Sequence, residues 1–120
     1  MIPKPTNARF DVAIVGLGYV GIPLALGFAS SGCRTLGYDA DCRRVVELQE
    51  RQSPFEHIPS EDLAACLDSG LLEICCATNR LAETQAIIVC VPTPLHRHQD
   101  PDLSHVLGVA RDIAPYLRYG

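Results

Sequence analysis

The chain has 120 residues, a formal charge of −4 and a pI of about 5.4. This length allows one domain or part of one and is short for a two-domain enzyme. Because its ten Lys and Arg residues are scattered along the chain, the charge pattern argues against binding to nucleic acid or to an anionic membrane surface. Residues 1–9 alone have the composition of a loose tail.

The first elements lie in a charge-free stretch, VAIVGLGYVGIPLALGFASSGC, which is long enough to be considered as a membrane span. Within it, Gly16, Gly18 and Gly21 have the spacing G-x-G-x-x-G and would weaken a continuous helix. The β-branched residues before them favour a strand instead. We therefore predict a strand over 11–16, a tight turn and a helix over 19–31, and no membrane span.

The rest of the chain alternates between the apolar periods of strands and of helices. In chain order, we predict the end of the first helix at Gly32, a strand over RTLGYDA, a helix over 41–52, a loop over 53–59 and a helix from Ser60. These are followed by a strand over 71–78, a helical turn over 79–84, a strand over 86–94 and an amphipathic helix over 101–117. Val45, Val46 and Leu48 are expected on the inner side of the second helix. The strand over 86–94 is the most hydrophobic and is expected to be apolar on both faces. This order predicts a parallel, right-handed α/β sheet.

We expect the cysteines to be free thiols. They are Cys33, Cys42, Cys66, Cys75, Cys76 and Cys90. None forms a C-x-x-C pair and most lie in apolar runs, which favours buried thiols in a reducing cytosol over a disulfide framework. Cys75 and Cys76 would point to opposite faces of a strand, and His96 and His98 alone make a weak metal site. The sequence therefore predicts no metal site. Polar residues and prolines interrupt the N-terminal region, which does not have the pattern of a signal peptide, so we predict a cytoplasmic protein.

The glycine-rich turn has the context of a dinucleotide-binding site, since it follows a predicted strand, opens a helix and is followed by an acidic residue at the end of the next strand. Gly16 would allow the tight turn, Gly18 the approach of a pyrophosphate, and Gly21 the close packing of helix on strand. We expect Tyr19 and Val20 to offer backbone N–H groups to the phosphates at the helix N-terminus. A structural turn without a ligand is the alternative.

The acidic residue is Asp39, which lies 18 residues after Gly21. We expect its carboxylate to accept hydrogen bonds from the adenosine ribose and to repel a 2′-phosphate, which predicts NAD rather than NADP. Arg44 follows five residues later and is expected to lie over the adenine or its ribose. The alternative is that Asp39 and Arg44 form an exposed pair at the start of a helix.

The second side of the site is predicted at the end of the strand over 86–94. In a sheet of order 3-2-1-4, strands 1 and 4 are neighbours where the order reverses, and ligands bind at their carboxyl ends. Val91, Pro92 and Thr93 lie at that end. Thr93, between two prolines, is placed to offer its hydroxyl or N–H group to the cofactor. Alternatively, Thr93 is a plain turn residue.

Together these motifs resemble the N-terminal NAD-binding domain of the UDP-glucose/GDP-mannose dehydrogenase family. The resemblance covers residues 10–120 and rests on VAIVGLGYVGIPLALGFASSG, GYDAD, SPFEHIPSEDL, AIIVCVPTPL and PDLSHV. It implies a Rossmann-type, doubly wound α/β fold, here with about four strands in the order 3-2-1-4. It also implies NAD contacts at Tyr19, Val20, Asp39, Thr93 and, by position, Arg44.

The resemblance further implies a reaction. The motifs GLGYVG, VPTPL and PDLS are most similar to the branch that oxidises the C6 alcohol of a UDP-N-acetylhexosamine, such as UDP-N-acetylglucosamine or UDP-N-acetylmannosamine, to the uronic acid in two NAD-dependent steps for surface polysaccharide synthesis. The UDP-glucose branch is the alternative.

Length limits what this chain is expected to do alone. Members of the family are several hundred residues long, and their catalytic cysteine, lysine and acidic residues lie beyond the region that resembles this chain. We therefore expect a fragment without catalytic residues that binds NAD and is inactive alone, while a stand-alone NAD-sensing module is the alternative. The exposed edge of the fourth strand predicts self-association, and hence a homo-oligomer.

Overall fold

The computed structural model describes residues 9–90, 108, 111 and 114–116. In this part of the chain, strands and helices alternate as the apolar periods predict. The elements are β1 at Phe10–Val15, α1 at Gly21–Ser30, β2 at Thr35–Tyr38, α2 at Cys42–Gln49, α3 at Ser60–Asp68, β3 at Leu72–Cys75 and β4 at Thr84–Val89. Two 3₁₀ segments cover Thr78–Glu83 and Ala114–Tyr116. The predicted helical turn after β3 is thus confirmed.

The four strands form one parallel sheet in the order β3-β2-β1-β4. Ile14 of β1 pairs with Gly37 of β2 on one side and with Ile88 of β4 on the other. The predicted α/β class and strand order are therefore confirmed. The order reverses between β1 and β4, which places the crevice used by ligands of such sheets at the carboxyl ends of these strands.

Side chains alternate between the two faces of the sheet, and each face carries its own apolar cluster. The helix-covered face includes Ile14 and Ile74, which pack with Leu26, Leu48 and Leu63 from the three helices. The opposite face carries a smaller cluster of Phe10, Ala13, Val15, Leu36, Tyr38, Cys75 and Leu81. Because the helices bury one face, they hold the ends of the strands in a fixed arrangement around the predicted site.

Several element boundaries and one buried position differ from the sequence-based expectations. Helix α2 is shorter than the span 41–52, and Val46 is 52% exposed rather than on the inner side with Val45 and Leu48. Val46 follows Val45 directly, and one helical step of about 100° turns it away from the sheet. Predicting it as buried was wrong.

The fourth strand begins earlier than expected. Thr84 pairs with Phe10 of β1, and its buried hydroxyl donates a hydrogen bond to the carbonyl of Leu81. This polar start was not recognised because the apolar run begins only at Ala86. β4 is the end strand of the described sheet, and Gln85, Ala86 and Val89 are exposed on it, so the expectation of two apolar, covered faces does not hold there.

The predicted C-terminal helix lies mostly outside the described residues. Gly108 and Arg111 are helical, and Ala114–Tyr116 forms a 3₁₀ turn. The positions expected on its apolar side fall outside the described part of the chain; they are Leu103, Val106, Leu107, Ala110 and Ile113. Among the described helices, none is long and apolar enough to cross a membrane.

The cysteines depart from the sequence-based expectation at one pair. Cys42 and Cys76 form a disulfide with their Cα atoms 5.4 Å apart, whereas the other four cysteines are free. Predicting six free thiols was therefore wrong, because residues 34 positions apart in the sequence meet where α2 begins and β3 ends. Cys75 and Cys76 do lie on opposite faces of the sheet, as their adjacency predicts.

Candidate cofactor site

The glycine-rich turn connects β1 to α1, and its glycines meet different steric demands. Gly16 has φ of 103°, a conformation that side chains disfavour, and its N–H group donates to the carbonyl of Tyr38 at 2.8 Å. A Cβ atom on Gly21 would overlap the carbonyl oxygen of Gly16. A Cβ atom on Gly18 would have no atom of the other described residues, its two chain neighbours apart, within 4 Å. Gly16 and Gly21 therefore shape the turn, while Gly18 leaves one side of it open.

The start of α1 faces this open side. Tyr19 and Val20 are 65% and 58% exposed, and Val20, at the N-cap position, makes no side-chain hydrogen bond to the helix. No acidic side chain lies in the first turn of α1. An uncapped and accessible helix N-terminus favours an anion, because its N–H groups point outwards and the helix dipole is positive there.

Asp39 lies directly after β2 and faces the glycine-rich turn. Its Oδ2 atom accepts the N–H group of Leu17 at 2.8 Å, and its Oδ1 atom accepts the N–H group of Asp41 at 2.9 Å. The residue is half-buried. Each carboxylate oxygen has a second lone pair, so Asp39 can still accept hydrogen bonds from two further hydroxyl groups. The structure thus joins two predicted site elements, the acid and the turn, through Leu17.

Arg44 reaches the same turn from α2. Its Nη1 atom donates to the carbonyl of Leu17 at 2.7 Å, and its Nε atom lies 3.6 Å from Oε1 of Glu47. The guanidinium carbon lies 5.4 Å from the ring centroid of Phe55, a cation–π distance. The peptide groups of Leu17 are therefore held by Asp39 on the N–H side and by Arg44 on the carbonyl side.

An aromatic cluster at this site was not found from the sequence. The ring of Phe55 lies 6.2 Å from that of Tyr19 and 5.8 Å from that of His57, and Tyr19 and His57 are 6.3 Å apart. The loop between α2 and α3 therefore packs against the glycine-rich turn. Two aromatic-type rings in the short polar loop SPFEHIP were the available signal, since such rings in a loop usually have a packing partner.

The β4 side of the site is described as far as Cys90. Its N–H group donates to the carbonyl of Val15 at 2.7 Å, and a Cβ atom built on Gly21 would lie 3.5 Å from its own Cβ atom. Burial raises the pKa of the Cys90 thiol. The other predicted residues of this side, Val91, Pro92 and Thr93, lie outside the described residues.

Comparison with known proteins identifies the domain. The NAD binding domain of the UDP-glucose/GDP-mannose dehydrogenase family matches residues 10–120. The chain belongs to this family. This NAD-binding domain is 33% identical over 113 residues to UDP-N-acetyl-D-mannosamine dehydrogenase of Escherichia coli (strain K12), covering 91% of the chain and 26% of that relative. It is 36% identical to the Pyrococcus horikoshii enzyme of the same name, with the same two coverages.

Solved structures agree with the fold of the NAD-binding domain. A UDP-glucose dehydrogenase from Pyrobaculum islandicum superimposes with a TM-score of 0.83 at 30% identity, covering 97% of this chain and 27% of that one. The UDP-D-ManNAc dehydrogenase of Pyrococcus horikoshii gives a TM-score of 0.77 at 33% identity, covering 89% and 26%. The chain thus spans about a quarter of the length of the relatives it matches. The predictions of the family and of NAD as its cofactor are confirmed.

The residues present fit this cofactor. The turn is open where a Cβ atom on Gly18 would stand, the adjacent N-terminus of α1 is uncapped, and Asp39 keeps free lone pairs beside them. These features offer a phosphate site and a hydroxyl acceptor within one crevice, as a dinucleotide requires.

Proposed function

We propose that this chain binds NAD with the pyrophosphate at the turn from Gly16 to Gly21 and the adenosine ribose at Asp39. The backbone N–H groups of Tyr19 and Val20 bind the phosphates. The observation that carries the proposal is the hydrogen bond from Leu17 to Asp39, because it holds the ribose acceptor against the phosphate-binding turn. Thr93, with Val91 and Pro92, completes the site from the β4 side.

Asp39 and Arg44 set the preference for NAD over NADP. The Asp39 carboxylate repels the 2′-phosphate of NADP. Arg44 is one of two cations at the start of α2 that could bind a 2′-phosphate, but its guanidinium donates to the carbonyl of Leu17 and lies close to Glu47, while Arg43 lies 3.9 Å from Asp41. We therefore assign Arg44 to the adenine side of the site, where the guanidinium face that does not contact Phe55 is suited to stacking.

The reaction served by this cofactor site is the oxidation of the C6 alcohol of a nucleotide sugar to a carboxylate in two steps. NAD supplies the chemistry by accepting a hydride in each step. The residues of this chain bind and orient the cofactor and contribute no catalytic residue. Burial raises the pKa values of the Cys75 and Cys90 thiols, which disfavours the thiolate that a nucleophile needs.

A UDP-N-acetylhexosamine is the proposed substrate class of the full-length protein. Relatives named UDP-N-acetyl-D-mannosamine dehydrogenase and UDP-N-acetyl-D-glucosamine 6-dehydrogenase support this proposal. UDP-glucose is the second candidate, since a UDP-glucose dehydrogenase has the TM-score of 0.83 given above. We further propose that the protein acts in the cytoplasm, where nucleotide sugars and NAD are available, and that it forms a homo-oligomer.

Calorimetric titration of NAD and NADP tests the cofactor site. We expect the unchanged chain to bind NAD at least tenfold more tightly than NADP. Asp39→Asn removes the negative charge and should narrow or reverse the ratio of the NAD and NADP affinities. It should also weaken NAD binding by about tenfold, because it loses a charge-assisted hydrogen bond of about 1.5 kcal/mol. Equal affinity of the unchanged chain for both cofactors would contradict the proposed preference for NAD.

The matched control is Asp68→Asn. Asp68 ends α3, which leads through a short turn into the start of β3, so it lies at the opposite end of the sheet from Asp39. This variant makes the same change of charge and should leave both affinities unchanged. If it weakened NAD binding as much as Asp39→Asn, the effect would reflect overall charge and not the proposed ribose contact.

A further inference from the structure

The disulfide between Cys42 and Cys76 lies beside the proposed adenosine ribose site. Cys42 is the first residue of α2, and Cys76 directly follows β3. Their Cα separation of 5.4 Å is within the range of native disulfides. We propose that this pair is a reversible redox site that controls NAD affinity by holding Asp39 in place. The effect on NAD rests on the proposed function, whereas the redox chemistry of the pair does not.

Asp39 lies between the two segments that the disulfide joins. On the β3 side, its N–H group donates to the carbonyl of Cys75 at 3.2 Å. On the α2 side, its Oδ1 atom accepts the N–H group of Asp41, whose own carboxylate caps α2 by accepting the N–H group of Arg43 at 3.0 Å. A movement of the start of α2 relative to β3 therefore acts on the Asp39 carboxylate through its hydrogen bond with Asp41, while Leu17 holds its other oxygen.

Reduction would release the covalent attachment between α2 and β3, which are also held together by a hydrogen bond and by the core packing of Val45 and Leu48. At the far end of α2, Nε2 of Gln49 donates to the carbonyl of Ile74 at 2.7 Å. At the near end, the attachment is the disulfide. Without it, α2 stays held at Gln49 and through the hydrogen bond from Arg44 to Leu17, while Asp41 and Cys42 at its start gain freedom. The reduced site then adopts the binding geometry only part of the time, which weakens NAD binding in proportion.

The position of the pair favours exchange with an external dithiol. Cys42 is exposed, whereas Cys76 is half-buried. A thiolate of the dithiol attacks the sulfur of Cys42, forms a mixed disulfide and releases Cys76 as a thiolate. The second thiol of the reagent then releases Cys42, so two electrons pass from the dithiol to the protein and the two cysteine thiolates take up its two protons. Burial raises the pKa of the neighbouring Cys75 thiol, which limits its competition for Cys42.

Thiol counting tests the redox site independently of NAD. After oxidation with glutathione disulfide, alkylation under denaturing conditions followed by mass spectrometry should modify four cysteines, and six after reduction with dithiothreitol. Peptide mapping should assign the difference to Cys42 and Cys76. Six modified cysteines in the oxidised protein would overturn the proposal.

Amide hydrogen exchange and calorimetry test the coupling to Asp39. In the reduced protein, the N–H groups of Leu17 and Asp41 should exchange faster and the Kd for NAD should rise about tenfold. The double variant Cys42→Ser with Cys76→Ser should match the reduced protein in either redox state. Cys33→Ser, which removes a free thiol, should respond to reduction like the unchanged chain.

The outcomes separate the two proposals. If the Leu17 and Asp41 amides respond to reduction but NAD binds in neither redox state, the proposed cofactor function fails and the redox site stands. If NAD binds equally in both states and these amides exchange at equal rates, the cofactor site stands and the redox control is overturned.

Discussion

Gly18 and Gly21 lie three residues apart, yet a Cβ atom added at each position would face different surroundings. In the part of the chain that the structure describes, no residue beyond its two neighbours comes within 4 Å of a Cβ atom on Gly18, whereas the space beyond Gly21 is filled by the backbone of Gly16. We expect Gly18→Ala to leave the free energy of unfolding unchanged or higher by about 0.5 kcal/mol. It should weaken NAD binding at least tenfold, because the new methyl group would occupy the approach of the pyrophosphate.

Urea unfolding and NAD titration of the same variants check this separation. Gly21→Ala should cost about 3 kcal/mol or more of stability, since the Cβ atom meets backbone that cannot move independently. Gly27→Ala is the matched control, because Gly27 lies exposed within α1 and its Cβ atom would also meet nothing within 4 Å. This control should gain about 0.5–1 kcal/mol and bind NAD normally. Normal NAD binding by Gly18→Ala would contradict the proposed phosphate site.

The sequence predicts the individual residues of this site better than their contacts with one another. Spacing alone brings out the three glycines and Asp39, because each meets a local requirement of the turn or the strand end. The contact of Arg44 with Leu17 and the packing of Phe55 on Tyr19 depend on how the loop after α2 crosses the turn. Local periodicity contains no information about that crossing.

At the scale of elements, α1 and α2 end in the same way with different residues. After α1, Gly32 has φ of 101°, and its N–H group and that of Cys33 bond to Ala29 and Phe28. After α2, Arg51 takes the corresponding position with φ of 63°, and the N–H groups of Arg51 and Gln52 bond to Leu48 and Glu47. Both ends are Schellman motifs. The end at Gly32 is predictable from the glycine, whereas Arg51 gives no such signal and α2 was predicted too long.

The positive φ of Arg51 leads to a stability prediction. Arg51→Gly and Arg51→Ala both remove the ion pair between Arg51 Nη2 and Asp68 Oδ1, which is 2.7 Å long between exposed side chains and contributes at most about 1 kcal/mol. They differ in the Cβ atom, which disfavours a left-handed conformation by about 1 kcal/mol. Arg51→Gly should therefore be about 1 kcal/mol more stable than Arg51→Ala in urea unfolding. Equal stability of the two variants would refute this explanation of how α2 ends.

At the scale of the whole molecule, the strand order places the proposed site and the end of the described sheet on the same strand. β4 borders the proposed crevice next to β1 and is also the end strand of the described sheet. The strand order 3-2-1-4 was predictable because parallel connections are right-handed and the alternating pattern is regular. The disulfide between α2 and β3 was not, because it depends on the relative placement of two elements and leaves no pattern in the sequence.

The edge of β4 leads to a prediction about association. Among the described residues no strand pairs with the second side of β4, and Gln85, Ala86 and Val89 are exposed on it. We expect the chain to self-associate through this edge as its concentration rises, which sedimentation velocity measures. Gln85→Lys should reduce the association, because a charged side chain on an edge strand opposes pairing with a second copy.

Gln52→Lys provides the same change of charge at an exposed position in the loop after α2. It should associate like the unchanged chain, so a difference between the two variants assigns the contact to β4 and not to net charge. The decisive comparison is made at low ionic strength, where repulsion between lysines is screened least. A monomer at every concentration, or equal association of both variants, would exclude the β4 edge as the contact between copies.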